Sequence, residues 1–249
     1  FWLMHCLSCG RFGRSKASAP MAEKMKLTYF DIRGLAEVTR LLFAASKVDY
    51  EDKRFSLSFG TPGDFSTIQR AEFDAAVAAG EMAAGMGKVP ILEYKGVKVG
   101  QSKAIERFVA KQVGMMGSGE IEELQVDALC CCVTDIKDAY KAAKEKGKDD
   151  KEAAMKVWFG EALPEWLAKV EKTLPAAPGQ WLVGSKMSLA DVALYYFLLD
   201  PKGFFDDTEA AAKALAGAPR LNAACQAVLA DAGISEWVNN KRPAGSAPF

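Results

Sequence analysis

A strand-end phenol, a Val-Pro dipeptide and a Gln-Ser pair are the groups in this chain best suited to hold and activate a small polar molecule: Tyr29, Val89–Pro90 and Gln101–Ser102. A proline that opens a strand removes a donor. In the cis form it also turns the N–H and C=O of Val89 outward, where a peptide could pair with them. An ordinary trans proline on an edge strand is the competing reading. Gln101 and Ser102 fall where a helix begins, so a hydroxyl, free N–H groups and a positive dipole end converge on a spot suited to a carboxylate. Ser102 as a plain N-cap is the alternative there. Tyr29 closes a strand beside a turn, where its hydroxyl either serves a ligand or satisfies a buried partner.

Other chemistries are narrowed by what the chain lacks. Its one histidine, His5, lies in Phe1–Pro20, a segment without acidic residues that is followed by Met21 and Met25. The segment reads as material outside the folded domain, either a truncated targeting peptide or translated upstream sequence. A Ser-His-Asp triad, a Cys-His pair or a His-based zinc site is therefore not expected in the folded part. Six cysteines occur, at Cys6, Cys9, Cys130, Cys131, Cys132 and Cys225, in a chain too apolar to need disulfide staples, so a reducing compartment is expected. Three consecutive cysteines on a helix point about 100° apart and cannot converge on one metal. No metal is expected. The stretch Ala83–Pro90 is not a phosphate loop, because the pattern wants glycine at Met82 and a hydroxyl at Val89. Nor does a dinucleotide fingerprint follow the first strand, since Asp31–Glu37 contains one glycine.

Thirty-two basic residues balance thirty-two acidic ones over 249 residues. No net field favours nucleic acid or anionic lipid, and the partner is expected to be small or apolar. No apolar run approaches the roughly 20 residues that cross a bilayer; Val192–Leu199 suits a buried helix instead.

These residues need elements to position them. Lys26–Phe30 reads as a strand and Arg33–Lys47 as a helix, with Leu35, Val38, Leu41, Leu42 and Ala45 at helical spacing. Asp49–Phe55 is polar enough to be only an edge strand. A connector follows, rich in Gly and Pro early and in alanine late. Pro90–Tyr94 and Val97–Gly100 flank Lys95–Gly96 as an antiparallel hairpin, leading into a helix from Ser102 that Gly114 caps. The order is βαβ, connector, ββα. Beyond a Gly/Ser linker, Gly114–Glu120, the chain turns helical, with helices expected over Ile121–Lys146, Lys151–Leu174, Leu189–Leu199, Thr208–Ala216 and Arg220–Ala232. Pro164 should kink or split the second of them. Ser188–Asp191 resembles a capping box with Asp in place of Glu. The fold class is α/β plus all-α.

The segments LTYFDIRGLAEVTRLLFA, VP, QSKAI and MSLADVALY, in that order and spacing, resemble a cytosolic glutathione transferase of the sigma-like class over most of Met25–Pro243. The resemblance implies a thioredoxin-like N-terminal domain (βαβ-α-ββα, residues 25–113), a linker (114–120) and an all-helical C-terminal domain (121–243). Residues 1–24 and 244–249 would lie outside these domains. It implies glutathione as co-substrate, a small hydrophobic electrophile, a homodimer and a detoxifying role in the cytoplasm. Tyr29 matches the catalytic tyrosine, and Val89 before Pro90 would pair by its backbone with the cysteinyl part of glutathione. Gln101 and Ser102 would hold the γ-glutamyl end, and Asp127 would reach glutathione bound to the neighbouring subunit. The chain departs from the pattern where Leu35 replaces an arginine. Phe73 and Val77 replace the Trp and Lys that cover the glycine end, and Lys88 could supply the missing cation. A non-catalytic ligand carrier or structural protein, and a glutathione-dependent isomerase of prostaglandin-synthase type, are the alternatives.

Overall fold

The computed structural model describes residues 24–61, 65–147, 149–176, 179–200 and 207–243. The expectations for the N-terminal segment through residue 23, with His5, Cys6 and Cys9, and for the tail 244–249 lie outside them.

Strand β1 (Met25–Phe30) lies inside a four-stranded sheet of order β2-β1-β5-β6. β2 (Tyr50–Phe55) runs parallel to it at the edge, where the charges of Glu51 and Lys53 stay wet. β5 (Ile91–Tyr94) is antiparallel to β1, and β6 (Val97–Gly100) is antiparallel to β5. The turn between the last two takes positive φ at both central residues, Lys95 at 51° and Gly96 at 73°, matching the twist of a two-residue hairpin. A short 3-10 turn, Gly34–Ala36, precedes α1 (Glu37–Ser46), so the helix begins later than its apolar spacing suggests. The connector holds a small hairpin absent from the sequence reading, β3 (Ser58–Phe59) against β4 (Ile68–Gln69), and then α2 (Ala71–Ala78). α3 (Ser102–Gln112) packs against α1 on one face of the sheet, on the side that Tyr29 faces.

The second domain is built on α4 (Glu120–Lys146) and α7 (Leu189–Leu198). Every residue of α7 is buried, because it meets α1 and α3 on one side and α4, α8 (Thr208–Leu215) and α9 (Pro219–Leu229) on the other. The cysteine run spreads around α4 as its pitch demands: Cys130 buried, Cys131 exposed, Cys132 half-buried. Between α5 (Lys151–Val157) and α6 (Leu163–Thr173) lies a π turn, Trp158–Ala162. Pro164 follows this π turn, so the interruption expected of it appears as a π turn in a continuous helical run. Past α9, the chain adds α10 (Ala232–Glu236) and a second π turn, Trp237–Lys241, against α1.

One lysine sits uneasily in this packing. Lys137 of α4 rests its Nζ 5.7 Å from the Tyr196 ring centre and 5.2 Å from that of Phe197. Burial, with Lys103 nearby, lowers its pKa to about 8. Below that pH the ammonium is charged in folded and unfolded chains alike, so its burial cost is fully present. Between about pH 8 and the unfolded value near 10.4 the folded chain releases the proton first, and stability rises with pH. Lys137→Met should therefore gain on the order of 1–2 kcal/mol near neutral pH, allowing for partial exposure, and almost nothing at about pH 10.5. Urea unfolding at the two pH values checks this.

Candidate active site

The strand register gathers the candidate residues at one end of the sheet. Thr28 pairs with Ile91 and Ile91 with Gly100, so the next step places Tyr29, Pro90 and Gln101 in one row across three strands. The Val89–Pro90 bond is cis. Gln101 takes φ 75° and is itself the N-cap of α3, without a side-chain cap bond. Ser102 is the first helical residue and not the cap, which leaves its hydroxyl for another partner. Gly100 lets this corner close, since a Cβ there would lie 2.7 Å from the Gly85 Cα and 2.8 Å from the Ala84 carbonyl oxygen. The carbonyl of Gln101 accepts from the N–H groups of Ala104 and Ile105, so those of Ser102 and Lys103 remain as the donors of the first turn. Lys103 Nζ bonds both oxygens of the buried Glu106 carboxylate, at 2.9 and 2.8 Å, and so adds little net charge.

Tyr29 is 6 % exposed. Its Oη accepts the Leu35 N–H at 3.1 Å, and the Arg40 guanidinium lies 5.8 Å from its ring centre. Burial raises the phenol pKa, against the opposing pull of the Leu35 bond and of Arg40. The hydroxyl is therefore protonated at neutral pH, and with Leu35 on its oxygen its own O–H is left to donate elsewhere. Leu35 itself is 56 % exposed, an apolar surface beside the hydroxyl.

Arg40, fully buried, holds the chain just after Tyr29. Its Nη1 donates to the Ile32 carbonyl at 2.6 Å and Nη2 to that of Phe30 at 3.3 Å. Nε and Nη2 reach the Asp52 carboxylate at 3.2 and 3.3 Å.

The remaining candidates divide. Phe73 is a core ring, 3 % exposed and packed against Phe30 and Phe55 at 4.8 and 5.5 Å. With Ala76 it forms the buried side of α2. Val77, one turn on, is 37 % exposed, and the loop of Gly87 and the exposed Lys88 passes it. Asp127, on α4, is 42 % exposed at its side chain and paired with Arg107 of α3. Arg107 also donates to the Lys103 carbonyl at 3.1 Å, which ties Asp127 to the start of α3. Among the described residues no group of His, Cys, Asp and Glu is arranged to hold a metal.

The fold and this corner define a class: a thioredoxin-like domain with a helical domain behind it, and a strand-end tyrosine facing a helix start. Residues 25–111 match the family model of the glutathione S-transferase N-terminal domain, and residues 134–241 that of the C-terminal domain. The chain is 34 % identical to hematopoietic prostaglandin D synthase of Gallus gallus, over 67 % of this chain and 73 % of that protein. It is 28 % identical to a glutathione S-transferase of Plasmodium yoelii yoelii, over 84 % of this chain and 90 % of the other. The crystal structure of the glutathione S-transferase from Ascaris lumbricoides superposes with a TM-score of 0.67 at 27 % identity, covering 91 % of this chain and all of that one. The chain belongs to the glutathione S-transferase family.

Sequence reasoning missed the buried polar cluster around the Arg33–Glu37 segment: Arg33, Glu37, Arg40, Asp200, Trp237 and Arg242. The one available signal was a pair of charges three residues apart, Glu37 and Arg40, inside an otherwise apolar helical run.

Proposed function

We propose that this chain transfers glutathione, as its thiolate, to small hydrophobic electrophiles, with the Tyr29 hydroxyl donating to the sulfur. One observation carries this: a buried, protonated phenol whose oxygen is occupied by the Leu35 N–H, at the sheet end it shares with Val89–Pro90 and Gln101–Ser102. A free thiol has a pKa near 8.5, so only a few per cent ionises at neutral pH; a donated hydrogen bond favours the anion. Val89 pairs by its backbone with the cysteinyl unit, and Gln101 and Ser102 hold the γ-glutamyl carboxylate at the start of α3. Lys88, beside Val77, supplies the cation for the glycine carboxylate. The electrophile docks between the domains against α4, with Leu35 exposed beside the sulfur.

The sigma-type reading assigns Asp127 to glutathione in the neighbouring subunit, and its half-exposed carboxylate suits that role. A homodimer is supported by the cleft of about 560 Å³ lined by Tyr94, Val97, Val99 and Phe108, an apolar face that a second copy would cover. A cytoplasmic setting accords with the free cysteines.

Titration calorimetry with glutathione and an assay with an aryl halide test the reading. Absence of both binding heat and turnover in the unaltered protein would overturn it. Ser102→Ala should weaken glutathione binding by about tenfold, the cost of one hydrogen bond to a charged group, with kcat nearly unchanged.

A further inference from the structure

Tyr29 depends on Leu35 for its orientation, yet Leu35 sits in a three-residue 3-10 turn, too short to hold itself. What holds that turn comes from the other domain and lies far along the chain. Arg33, just before it, is 3 % exposed and pairs through Nη1 with the fully buried Asp200 carboxylate at 3.4 Å. The Gly34 carbonyl accepts the Tyr196 hydroxyl at 3.2 Å. Glu37, just after it, accepts the Trp237 indole N–H at 2.9 Å, and its Oε1 lies 2.9 Å from Arg242 Nε. Arg242 closes the circuit, because its Nη1 and Nη2 donate to the two Asp200 oxygens at 2.9 and 2.5 Å.

We infer that Asp200, Trp237 and Arg242 are positioning residues for the catalytic tyrosine: they clamp the Arg33–Glu37 segment so that the Leu35 N–H stays on Tyr29 Oη. This rests on the proposed transferase reading. Four guanidinium groups (Arg33, Arg40, Arg54, Arg242) face four carboxylates (Asp31, Glu37, Asp52, Asp200), so the cluster is neutral only while complete. A buried ion pair is weak evidence for stability, but removing one partner strands a charge that must move or draw in water. Without Arg242, the buried Asp200 loses both of its short bonds and keeps only the 3.4 Å contact to Arg33, with the Glu37 carboxylate nearby, and the simplest relief is outward movement of the segment bearing Leu35. The Leu35 N–H then leaves the phenol oxygen. The phenol O–H is no longer held toward the sulfur, and preorganised stabilisation of the thiolate is lost. Val89, just ahead of β5, and Gln101 and Ser102, at the start of α3, are untouched, so affinity for the tripeptide should survive.

The test compares Arg242→Gln, Arg242→Lys and Trp237→Phe with Val228→Ala, a cavity variant at a fully buried position of α9 whose apolar side chain takes no part in the cluster's hydrogen bonds or ion pairs. Ultraviolet absorbance of the glutathione thiolate, followed against pH on the complex, reads the sulfur directly. Arg242→Gln should lower the thiolate fraction at neutral pH and kcat by about tenfold each, with KM for glutathione within about twofold of the unaltered protein. Arg242→Lys should recover most of this. Trp237→Phe, a milder change that keeps the protein measurable if Arg242→Gln does not fold, should shift both in the same direction by less. Val228→Ala should lower the melting temperature and leave the thiolate curve alone. If Arg242→Gln or, where that does not fold, Trp237→Phe matches the unaltered protein in thiolate fraction and kcat while losing melting temperature, the cluster is only structural and the inference fails. Failure of the transferase reading looks different: the unaltered protein itself would show no thiolate signal on adding glutathione.

Discussion

Tyr29→Phe should cost about 100-fold in kcat/KM toward an aryl halide while leaving glutathione bound with nearly its normal affinity, since one transition-state donor in a dry site is worth about 10²–10³ in rate. The ring remains, and with it the packing against Phe30 at 5.6 Å and the Arg40 contact. Only the oxygen is lost. Two effects then add: the sulfur loses its donor, and the Leu35 N–H loses its acceptor and must turn to water or ligand. The thiol of bound glutathione should move back toward its free value near 8.5, so activity lost at neutral pH should recover partly as pH rises. The unaltered enzyme should show a flatter profile over the same range. A pH series of kcat/KM for both proteins checks this, and equal profiles would remove Tyr29 from the mechanism.

Asp191→Ala should be the most damaging single change to the fold, at about 3–5 kcal/mol, because it leaves several buried donors unpaired at once. Asp191 Oδ2 accepts the Ser188 N–H at 2.8 Å and the Ser188 hydroxyl at 2.6 Å, completing the capping box of α7. Its Oδ1 accepts the Leu182 N–H at 2.9 Å, tying the preceding loop to the same carboxylate. Burial pushes the Asp191 carboxyl above its ordinary range and these bonds pull it back, so the anion is tolerated only because every oxygen is used. α7 touches both domains, so its entry angle is shared by the whole molecule. For a domain of this size the loss corresponds to a fall of roughly 10 °C or more in melting temperature. Asp191→Asn should recover only part of it, since an amide presents a donor where two more donors already point. Thermal unfolding followed by circular dichroism is the measurement; a fall of under about 2 °C for Asp191→Ala would refute the claim.

The capping box, the hairpin turn at Lys95–Gly96 and the edge character of β2 were all legible in the residues, because each depends on neighbours within a few positions. The later start of α1 was not. Leu35 satisfies helical spacing, yet it is 56 % exposed, since residues 34–36 wind as a 3-10 turn to bring the Leu35 N–H to Tyr29. The burial of Phe73 was not legible either. Its type suits a ligand-facing ring, and only the tertiary packing of α2 decides that it meets Phe30 and Phe55.

The sequence alone determined the main strands and helices, which residue types stand at the sheet end, and which chemistries to expect of the chain. These follow from periodicity, capping and composition, which are local. Tertiary structure alone decided that Arg33 would meet Asp200, 167 residues away, and that Trp237 would meet Glu37 across 200. Such pairs leave no trace in spacing, because a buried charge chooses its partner only after two domains have closed around it.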